Sequence, residues 1–277
     1  MTPAAVSLEA VTARFAGAGG KEYTAVDGVT LHIAEGAFVS IVGPSGCGKS
    51  TLLNMAAGLL PPSGGTVRIF GDALRGINRR ATCMFQQEAL LPWKTVLDNV
   101  TLGLKLRQPG AGKRTEELGR EWLKRVGLED FGDRFPYQLS GGMRKRVAMA
   151  QNWIVGPDIL LMDEPFSALD IHTRQRMEGE ILSLWSGTNK TVLFVTHDLE
   201  EAIALSDEVL VLSAGPASRL VGRYPVDLPR PRNLIDIRTE PRFADLYRAI
   251  WTDLREEVLR SYAGPPSRPA GGPRQRP

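Results

Sequence analysis

The chain has 277 residues, 43% hydrophobic and 23% charged, a composition typical of a globular protein that can bury a substantial core. Its 34 basic and 31 acidic side chains give a formal net charge of +3, and segment 264–277 holds three of the arginines. The rest is nearly neutral, which argues against nucleic-acid binding through a broad basic face. With only 2 cysteines a disulfide framework is excluded, which favours a reducing cytosol.

Targeting and membrane-spanning patterns are missing from the sequence. The N-terminus has no charged region followed by an apolar core, so we expect no signal peptide. Apolar runs stay well short of the roughly 18 to 20 residues that span a bilayer. We therefore expect a soluble protein whose link to a membrane runs through a partner.

Short apolar runs alternate with helical patterns along the chain, which predicts an α/β fold. Strand signals give way to helical ones between residues 93 and 156, which indicates an inserted helical lobe with helices at 116–126 and 142–154. The predicted strands are 6–11, 29–33 and 66–70 of an antiparallel sheet, and buried strands 38–42, 82–85, 159–162, 191–195 and 209–212.

The C-terminal part begins with prolines and continues with a helical stripe. Pro225, Pro229 and Pro231 predict a hinge-like passage. The stripe that follows predicts a helix packed on the main body, formed by Phe243, Leu246, Tyr247, Ile250, Leu254 and Val258. Segment 264–277, rich in Pro and Gly, is predicted to be disordered.

A glycine-rich segment follows the predicted strand 38–42 and precedes a predicted helix, and it fits the pattern G-x-x-x-x-G-K-[ST]. Glycines let the backbone approach phosphates, and the helix N-terminus attracts anions. Lys49 suits the β- and γ-phosphates of ATP, and the Ser50 hydroxyl suits Mg²⁺. The predicted nucleotide-binding residues here are Gly43, Pro44, Ser45, Gly46, Cys47, Gly48, Lys49, Ser50 and Thr51.

Polar side chains also follow three other predicted strands, at the edge where ligands bind in such folds. Asp163 is expected to hold the metal through water, and Glu164 to polarise the attacking water. His197 is a candidate contact to the γ-phosphate, with a satisfied core histidine as the alternative. Gln86 is a candidate sensor of metal or water, and periodicity does not separate it from its neighbour Gln87.

Residues 139–143, Leu-Ser-Gly-Gly-Met, lie between Lys49 and Asp163, and this segment resembles the signature loop of ATP-binding-cassette (ABC) ATPases. The resemblance extends from about residue 6 to residue 260. It implies a Q-loop glutamine at Gln86, a catalytic base at Glu164, a switch histidine at His197 and a D-loop at 167–170. Met143 and Lys145 stand where many members have Gln.

The resemblance also implies how nucleotide is bound. Phe15 would stack on the adenine, with Tyr23 as the competing aromatic. The signature loop would contact the nucleotide of another subunit, so that two ATPase subunits, identical or different, enclose two ATPs head to tail. Its helix N-terminus makes a second anion-binding surface, formed by Ser140, Gly141 and Gly142.

The implied fold is a P-loop NTPase core (RecA-like) with an antiparallel β subdomain and an inserted helical subdomain. Residues 1–88 would form the nucleotide-binding core with the β subdomain, and 89–157 the helical subdomain with the signature motif. Residues 158–230 would complete the core. A helical extension at 231–263 and the tail at 264–277 would follow.

The resemblance further implies an integral membrane permease that docks near residues 86–93, with Trp93 as an interface anchor. The alternative for the apolar segment 89–93, and for Leu90 in particular, is that it fills the core of the helical lobe. The sequence around Trp93 and the segment Leu-Pro-Arg-Pro-Arg at 228–232 resemble those of the ATPase subunits of importers of nitrate, sulfonates and taurine. A soluble substrate-binding protein would complete the system. The subunit would lie peripherally on the cytoplasmic face of the inner membrane. An exporter or lipoprotein-release ATPase is the alternative.

Cys47 lies in the phosphate loop near Lys49 and a helix N-terminus, which can favour a thiolate. If so, alkylation would block ATP binding and bound nucleotide would protect the thiol. The alternative is that Cys47 fills a position that requires a small side chain.

Overall fold

The computed structural model describes residues 4–16, 22–107, 112–167 and 169–263. The strands are β1 Ala4–Ala16, β2 Glu22–Ala34, β3 Phe38–Val42, β4 Gly64–Ile69, β5 Asp72–Ala73, β6 Ala81–Met84, β7 Ile159–Asp163, β8 Thr191–Val195, β9 Glu208–Leu212 and β10 Leu220–Pro225. The α-helices are α1 Lys49–Ala56, α2 Val96–Arg107, α3 Gly112–Arg125, α4 Gly141–Trp153, α5 Ile171–Trp185, α6 Leu199–Leu205 and α7 Pro241–Ala263.

The larger sheet has the strand order β10-β9-β3-β8-β7-β6. Its strands run parallel except β10, which pairs antiparallel with β9 at the edge. Every residue of β3 and of β8 is buried, because helices cover both faces of such a sheet. The apolar runs at 38–42 and 191–195 are therefore confirmed as central strands.

The smaller sheet is antiparallel and has the order β2-β1-β4-β5. β1 pairs with β2 through registers such as Leu8 with Leu31, and with β4 through Leu8 with Val67. Helix α1 lies between the two sheets and buries Leu52 and Leu53 against them. This sheet therefore supports the helix that follows the glycine-rich loop.

The segment between β6 and β7 is helical, as the sequence predicts. α2, α3 and α4 pack on one another around Val100, Leu123 and Val147, which are fully buried. Gly119 allows α3 to approach α2 closely, because a Cβ there would lie 2.5 Å from Thr101 Cγ2. Across the described ranges, no helix is both long and apolar enough to cross a membrane.

Several predicted elements have other bounds in the structure, and two of the differences have a clear physical cause. The strand expected at 82–85 begins and ends one residue earlier, because Phe85 leaves the sheet and is 39% exposed. Pro225 does not belong to a hinge. It is the last residue of β10 and lies opposite Glu208 of β9, and β10 itself was not predicted. β10 is an edge strand, where a proline without an N–H group is tolerated. The predicted disordered tail lies outside the described residues.

The Leu-Pro-Arg-Pro-Arg segment fastens the end of α6 to the sheet. Arg232 donates through Nη1 to the carbonyls of Ile203, Ala204 and Ser206, and through Nη2 to those of Val226 and Leu228. Burial lowers the pKa of this guanidinium to about 10. A cation at this position complements the negative end of the helix dipole.

Arg230 reinforces the same junction. It stacks on Trp185, and its Nη2 donates to Asp207 Oδ1 at 2.7 Å. Asp207 in turn accepts from the Phe38 amide at 2.9 Å through Oδ2, at the first residue of β3. The segment therefore connects the C-terminal part of the chain with α6 and with the strand that leads into the glycine-rich loop.

We expect Arg232→Lys to lower the free energy of unfolding by about 2 kcal/mol, because an ammonium cannot reach carbonyls on both sides as the planar guanidinium does. Urea unfolding followed by circular dichroism measures this. Arg248→Lys is the control, since Arg248 is exposed and, among the described residues, forms an ion pair only with Asp245 along α7. Its effect should stay below about 0.5 kcal/mol. Equal effects of the two substitutions would contradict the assigned role of Arg232.

Candidate active site

The glycine-rich loop connects β3 to α1 and has the geometry of a phosphate cradle. Gly48 caps α1 at φ 91°, and a Cβ there would lie 2.5 Å from Val26 Cγ1, so the position requires glycine. Lys49 is only 6% exposed, and its Nζ donates to the carbonyls of Gly43 at 2.9 Å and Pro44 at 3.1 Å. The loop therefore surrounds an ammonium group with backbone, beside the positive end of a helix.

Asp163 ends β7 directly beside this loop. Its Oδ1 accepts a hydrogen bond from Ser50 Oγ at 3.0 Å. Burial raises the pKa of Asp163, and the hydrogen bond from Ser50 opposes that rise. The two side chains thus place a hydroxyl and a carboxylate oxygen together, as the sequence predicts for a metal site.

Glu164 and His197 meet at the same edge of the sheet. His197 Nδ1 lies 3.1 Å from Glu164 Oε2. Glu164 has a φ of 44°, an unfavourable conformation for a residue with a side chain, and its amide donates to the Val195 carbonyl at 2.8 Å. Strained backbone of this kind persists only where the surrounding structure holds it in place, and it is found mostly at functional sites.

Gln86 lies near this pair. Its Nε2 donates to Ser167 Oγ at 3.3 Å, and Ser167 Oγ donates to the Glu164 carbonyl at 3.1 Å. This chain of hydrogen bonds links the end of β6 to Glu164. The contact favours Gln86 over Gln87 as the glutamine that serves the site.

Lys145 has a structural role that the sequence did not reveal. The side chain projects from α4 and is 1% exposed, and its Nζ donates to the Gln86 carbonyl. It also lies 3.9 Å from Glu88 Oε1. Burial lowers the pKa of Lys145. The helix after the signature loop is thereby tied to the backbone of Gln86.

Phe15 and Tyr23 form one aromatic edge beside the loop. They are direct partners across β1 and β2 and are 39% and 44% exposed. Both line a cavity of about 310 Å³ that also includes Lys49 and Glu164. Because the two rings share one edge of this cavity, each is placed to stack on a planar base there.

The signature residues lie elsewhere. Ser140 caps α4, and its Oγ accepts from the Met143 amide at 3.3 Å. Ser140 is exposed, and the phosphate-loop cavity has no lining residue from 140–142 within the part of the chain that the structure describes. One copy of the chain therefore does not bring Ser140, Gly141 and Gly142 to its own Lys49.

Of the two interpretations of Cys47, the structure favours the small side-chain position over the thiolate. The side chain is fully buried, and a Cβ on Gly43 would lie 2.8 Å from its sulfur. Burial raises the pKa of the Cys47 thiol, and the nearby Lys49 charge only partly opposes this rise. Cys47 therefore fills a tight position beneath the loop, which was the alternative interpretation.

Comparison with known proteins identifies the family of this chain. A family model described as ABC transporter matches residues 26–167. The ABC transporter ATP-binding protein MJ0412 of Methanocaldococcus jannaschii is 45% identical over 242 residues, which cover 87% of this chain and 88% of the relative. This chain belongs to the ABC transporter ATP-binding family.

Other relatives and a solved structure agree with this assignment. This chain is 46% identical to the taurine import ATP-binding protein TauB of Rhizobium johnstonii, and the match covers 90% of this chain and 96% of the relative. It is 40% identical to the bicarbonate transport ATP-binding protein CmpC of Synechococcus elongatus, over 87% of this chain but 36% of that longer relative.

The dimeric post-hydrolysis structure of the ATP-binding cassette MJ0796 with ADP and Pi matches at TM-score 0.71 and 34% identity, covering 81% of this chain and 100% of the cassette. The chain is thus an ATPase that binds ATP. The predicted fold class, a P-loop NTPase core with an antiparallel β subdomain and a helical subdomain, is confirmed.

Beneath His197 lies a buried carboxylate that the sequence analysis missed. Glu201, on α6, is 4% exposed and accepts from Thr196 Oγ1 at 2.7 Å. Burial raises the pKa of Glu201 from 4.5 to about 7, despite the Thr196 hydrogen bond and the charge of Arg174. In the sequence Glu201 simply follows Glu200 in the first turn of α6, and this local pattern reveals neither its burial nor its partner.

Glu201 should make stability depend on pH. Because the pKa of Glu201 is higher in the folded state, its favourable contribution is full below pH 4.5 and is lost as pH rises through about 7. We expect the free energy of unfolding to fall by about 2 to 3 kcal/mol more in the wild type than in Glu201→Gln over this interval. Urea unfolding between pH 5 and 8 measures both. Identical pH slopes would contradict the raised pKa.

Proposed function

We propose that this ABC ATPase powers a membrane importer, as one of two subunits that enclose two Mg-ATP head to tail. The observation that supports the proposal most directly is the meeting of Ser50, Asp163, Glu164 and His197 beside the phosphate loop. That edge offers an ammonium group, oxygen ligands and a carboxylate, which are the groups that phosphoryl transfer to water requires.

Each group takes one task in this proposal. Lys49 contacts the β- and γ-phosphates, and its ammonium group then donates to phosphate oxygens in place of the Gly43 and Pro44 carbonyls. Glu164 accepts a proton from the attacking water, and His197 orients the γ-phosphate. Gln86 contacts the metal or the water. The aromatic edge of Phe15 and Tyr23 stacks on the adenine.

The donor set at the loop fits Mg²⁺. Ser50 and Asp163 supply hydroxyl and carboxylate oxygens, the ligands that this cation prefers. Bound there, Mg²⁺ would neutralise charge on the phosphate oxygens. Burial raises the pKa of Asp163, and a cation bound beside this half-buried carboxylate would stabilise its charged form.

A second subunit completes the site. Ser140, which is exposed, and the half-buried Gly141 and Gly142 form a helix N-terminus away from the loop of their own chain. MJ0796 is dimeric in its complex with ADP and Pi. In a head-to-tail pair this N-terminus would contact the γ-phosphate held by the other copy. Hydrolysis removes that contact and lets the subunits part.

We expect Glu164→Gln to bind ATP normally and to lose at least about 100-fold in kcat, because the general base is gone. With excess Mg-ATP it should elute as a dimer in size-exclusion chromatography with light scattering. Glu121→Gln, an exposed glutamate on α3, is the control and should behave as the wild type. Near-normal turnover, or a monomer under these conditions, would contradict the proposal.

An apolar groove offers a docking place for a permease helix. A cavity of about 410 Å³ between the sheet and α2 is lined by exposed apolar side chains including Ile77, Phe85 and Leu106. Trp93 is 71% exposed nearby in the sequence, whereas Leu90 packs against the core. We propose that residues 86–93 and this groove receive the permease, on the cytoplasmic face of the membrane.

The proposed cargo is a small anion such as nitrate, a sulfonate or taurine, delivered by a soluble binding protein. Support comes from the named activities of TauB and CmpC. The solute does not touch this subunit in the proposed arrangement, so its identity rests on these relatives.

Uptake measurements test cargo and docking together. Cells that lack the chromosomal copy and carry the wild type should accumulate one of labelled taurine, bicarbonate or nitrate. Lys49→Ala should abolish uptake, and Trp93→Ala should lower it by about 10-fold through weaker docking. Loss of solute from preloaded cells, with no uptake, would instead support an exporter and contradict the proposal.

A further inference from the structure

His197 is the exposed middle residue between two anchored neighbours. Its side chain is 56% exposed and reaches Glu164. Thr196, before it, donates its hydroxyl to Glu201 at 2.7 Å and accepts the Asp198 amide at 3.0 Å. Asp198, after it, caps α6 by accepting the amides of Glu200 and Glu201. The backbone on both sides of His197 is therefore held by α6.

Arg174 joins this group from a different helix. Its Nη1 lies 3.0 Å from Asp198 Oδ2 and 3.5 Å from Glu201 Oε1. Its Nη2 donates to the Leu169 carbonyl at 3.4 Å, in the loop before α5. Arg174 lies one turn into α5, whose N-cap is Asp170. The guanidinium of Arg174 thus connects the D-loop segment with Asp198 and Glu201, the two acids that hold the residues on either side of His197.

The charges around this contact show why Arg174 is needed there. Glu178 on α5, Glu201 on α6 and Asp198 in residues 196–198 (the switch loop) are neighbouring acids, and each would repel the others. Arg238 pairs with Glu178 and Glu200, which leaves Arg174 as the cation that contacts Asp198 and Glu201 in the described part of the chain. Truncating one partner of a partly buried charge pair leaves the other uncompensated, so the geometry depends on both.

We propose that Arg174 and Glu201 are positioning residues that hold His197 against Glu164 and make its placement depend on the D-loop segment. This inference rests on the role proposed above for His197. The contacts of Arg174 end at Leu169 and at the residues beside His197. A shift of the D-loop segment therefore reaches the histidine through this side chain, as well as through Ser167 and Glu164. A second copy that contacts the D-loop segment would thereby set the histidine for hydrolysis.

A double-mutant cycle with His197 tests the proposal on the full chain. Arg174→Gln should lower kcat for ATP hydrolysis about 10- to 100-fold with KM changed less than about 2-fold, because small displacements of a catalytic group are costly. In the His197→Ala background the same substitution should change kcat by less than about 2-fold, because the histidine that it positions is gone. Arg174→Lys should restore part of the activity.

Arg176→Gln is the matched control. Arg176 lies on the same helix, is 65% exposed and pairs with Glu180 away from the switch loop, so kcat should not change. Thr196→Val removes one hydroxyl from the same contacts and should reproduce the loss of kcat and its dependence on His197. It replaces Arg174→Gln if that variant does not fold.

A normal kcat in both Arg174→Gln and Thr196→Val would overturn the inference. So would an equal loss with and without His197, because a general structural defect lowers both backgrounds alike. If His197→Ala alone hydrolyses ATP at the wild-type rate, the proposed role of His197 fails, and the inference fails with it. A defective His197→Ala with an additive Arg174→Gln rejects the inference alone.

Discussion

Parallel strands that end together at one edge of the larger sheet are the constraint on which the site depends. β3 leads into the phosphate loop, β6 into Gln86, β7 into Asp163 and β8 into the segment of His197. Adjacent strands lie about 4.8 Å apart, so groups far apart in sequence come within bonding reach. The buried side chains of the strands fix the register between them, and this register determines where the polar residue at the end of each strand lies.

Buried charges connect the helices to this edge. Lys145 ties α4 to the backbone of Gln86, Arg174 ties α5 to the loop before α6, and Arg232 ties the C-terminal segment to the end of α6. Each guanidinium or ammonium group satisfies carbonyls or carboxylates that burial would otherwise leave without partners. The apolar core sets where the helices lie, and these contacts determine which loop each helix holds.

Much of the fold and of the site could be predicted because its signals are local. Fully buried strands appear as unbroken apolar runs, and the spacing of glycines before Lys49 predicts a phosphate-binding loop. The signals failed where a neighbour distant in sequence decides the outcome. Burial decides against the thiolate at Cys47, which the sequence left open, and Pro225 is explained only by the edge position of β10. Arg174 and Glu201 carry ordinary polar patterns, and only their contact shows what they hold.

The central claim is that one chain holds half of each ATP site and that a second copy supplies the signature loop. Crosslinking two single-cysteine variants tests it most directly: Ser45→Cys in one chain and Ser140→Cys in the other, in a background without Cys47 and Cys83. With Mg-ATP and a short thiol crosslinker, we expect the mixture to give a covalent heterodimer that is absent with ADP. A crosslink yield that does not depend on nucleotide, or no crosslink between the two variants, would contradict the account.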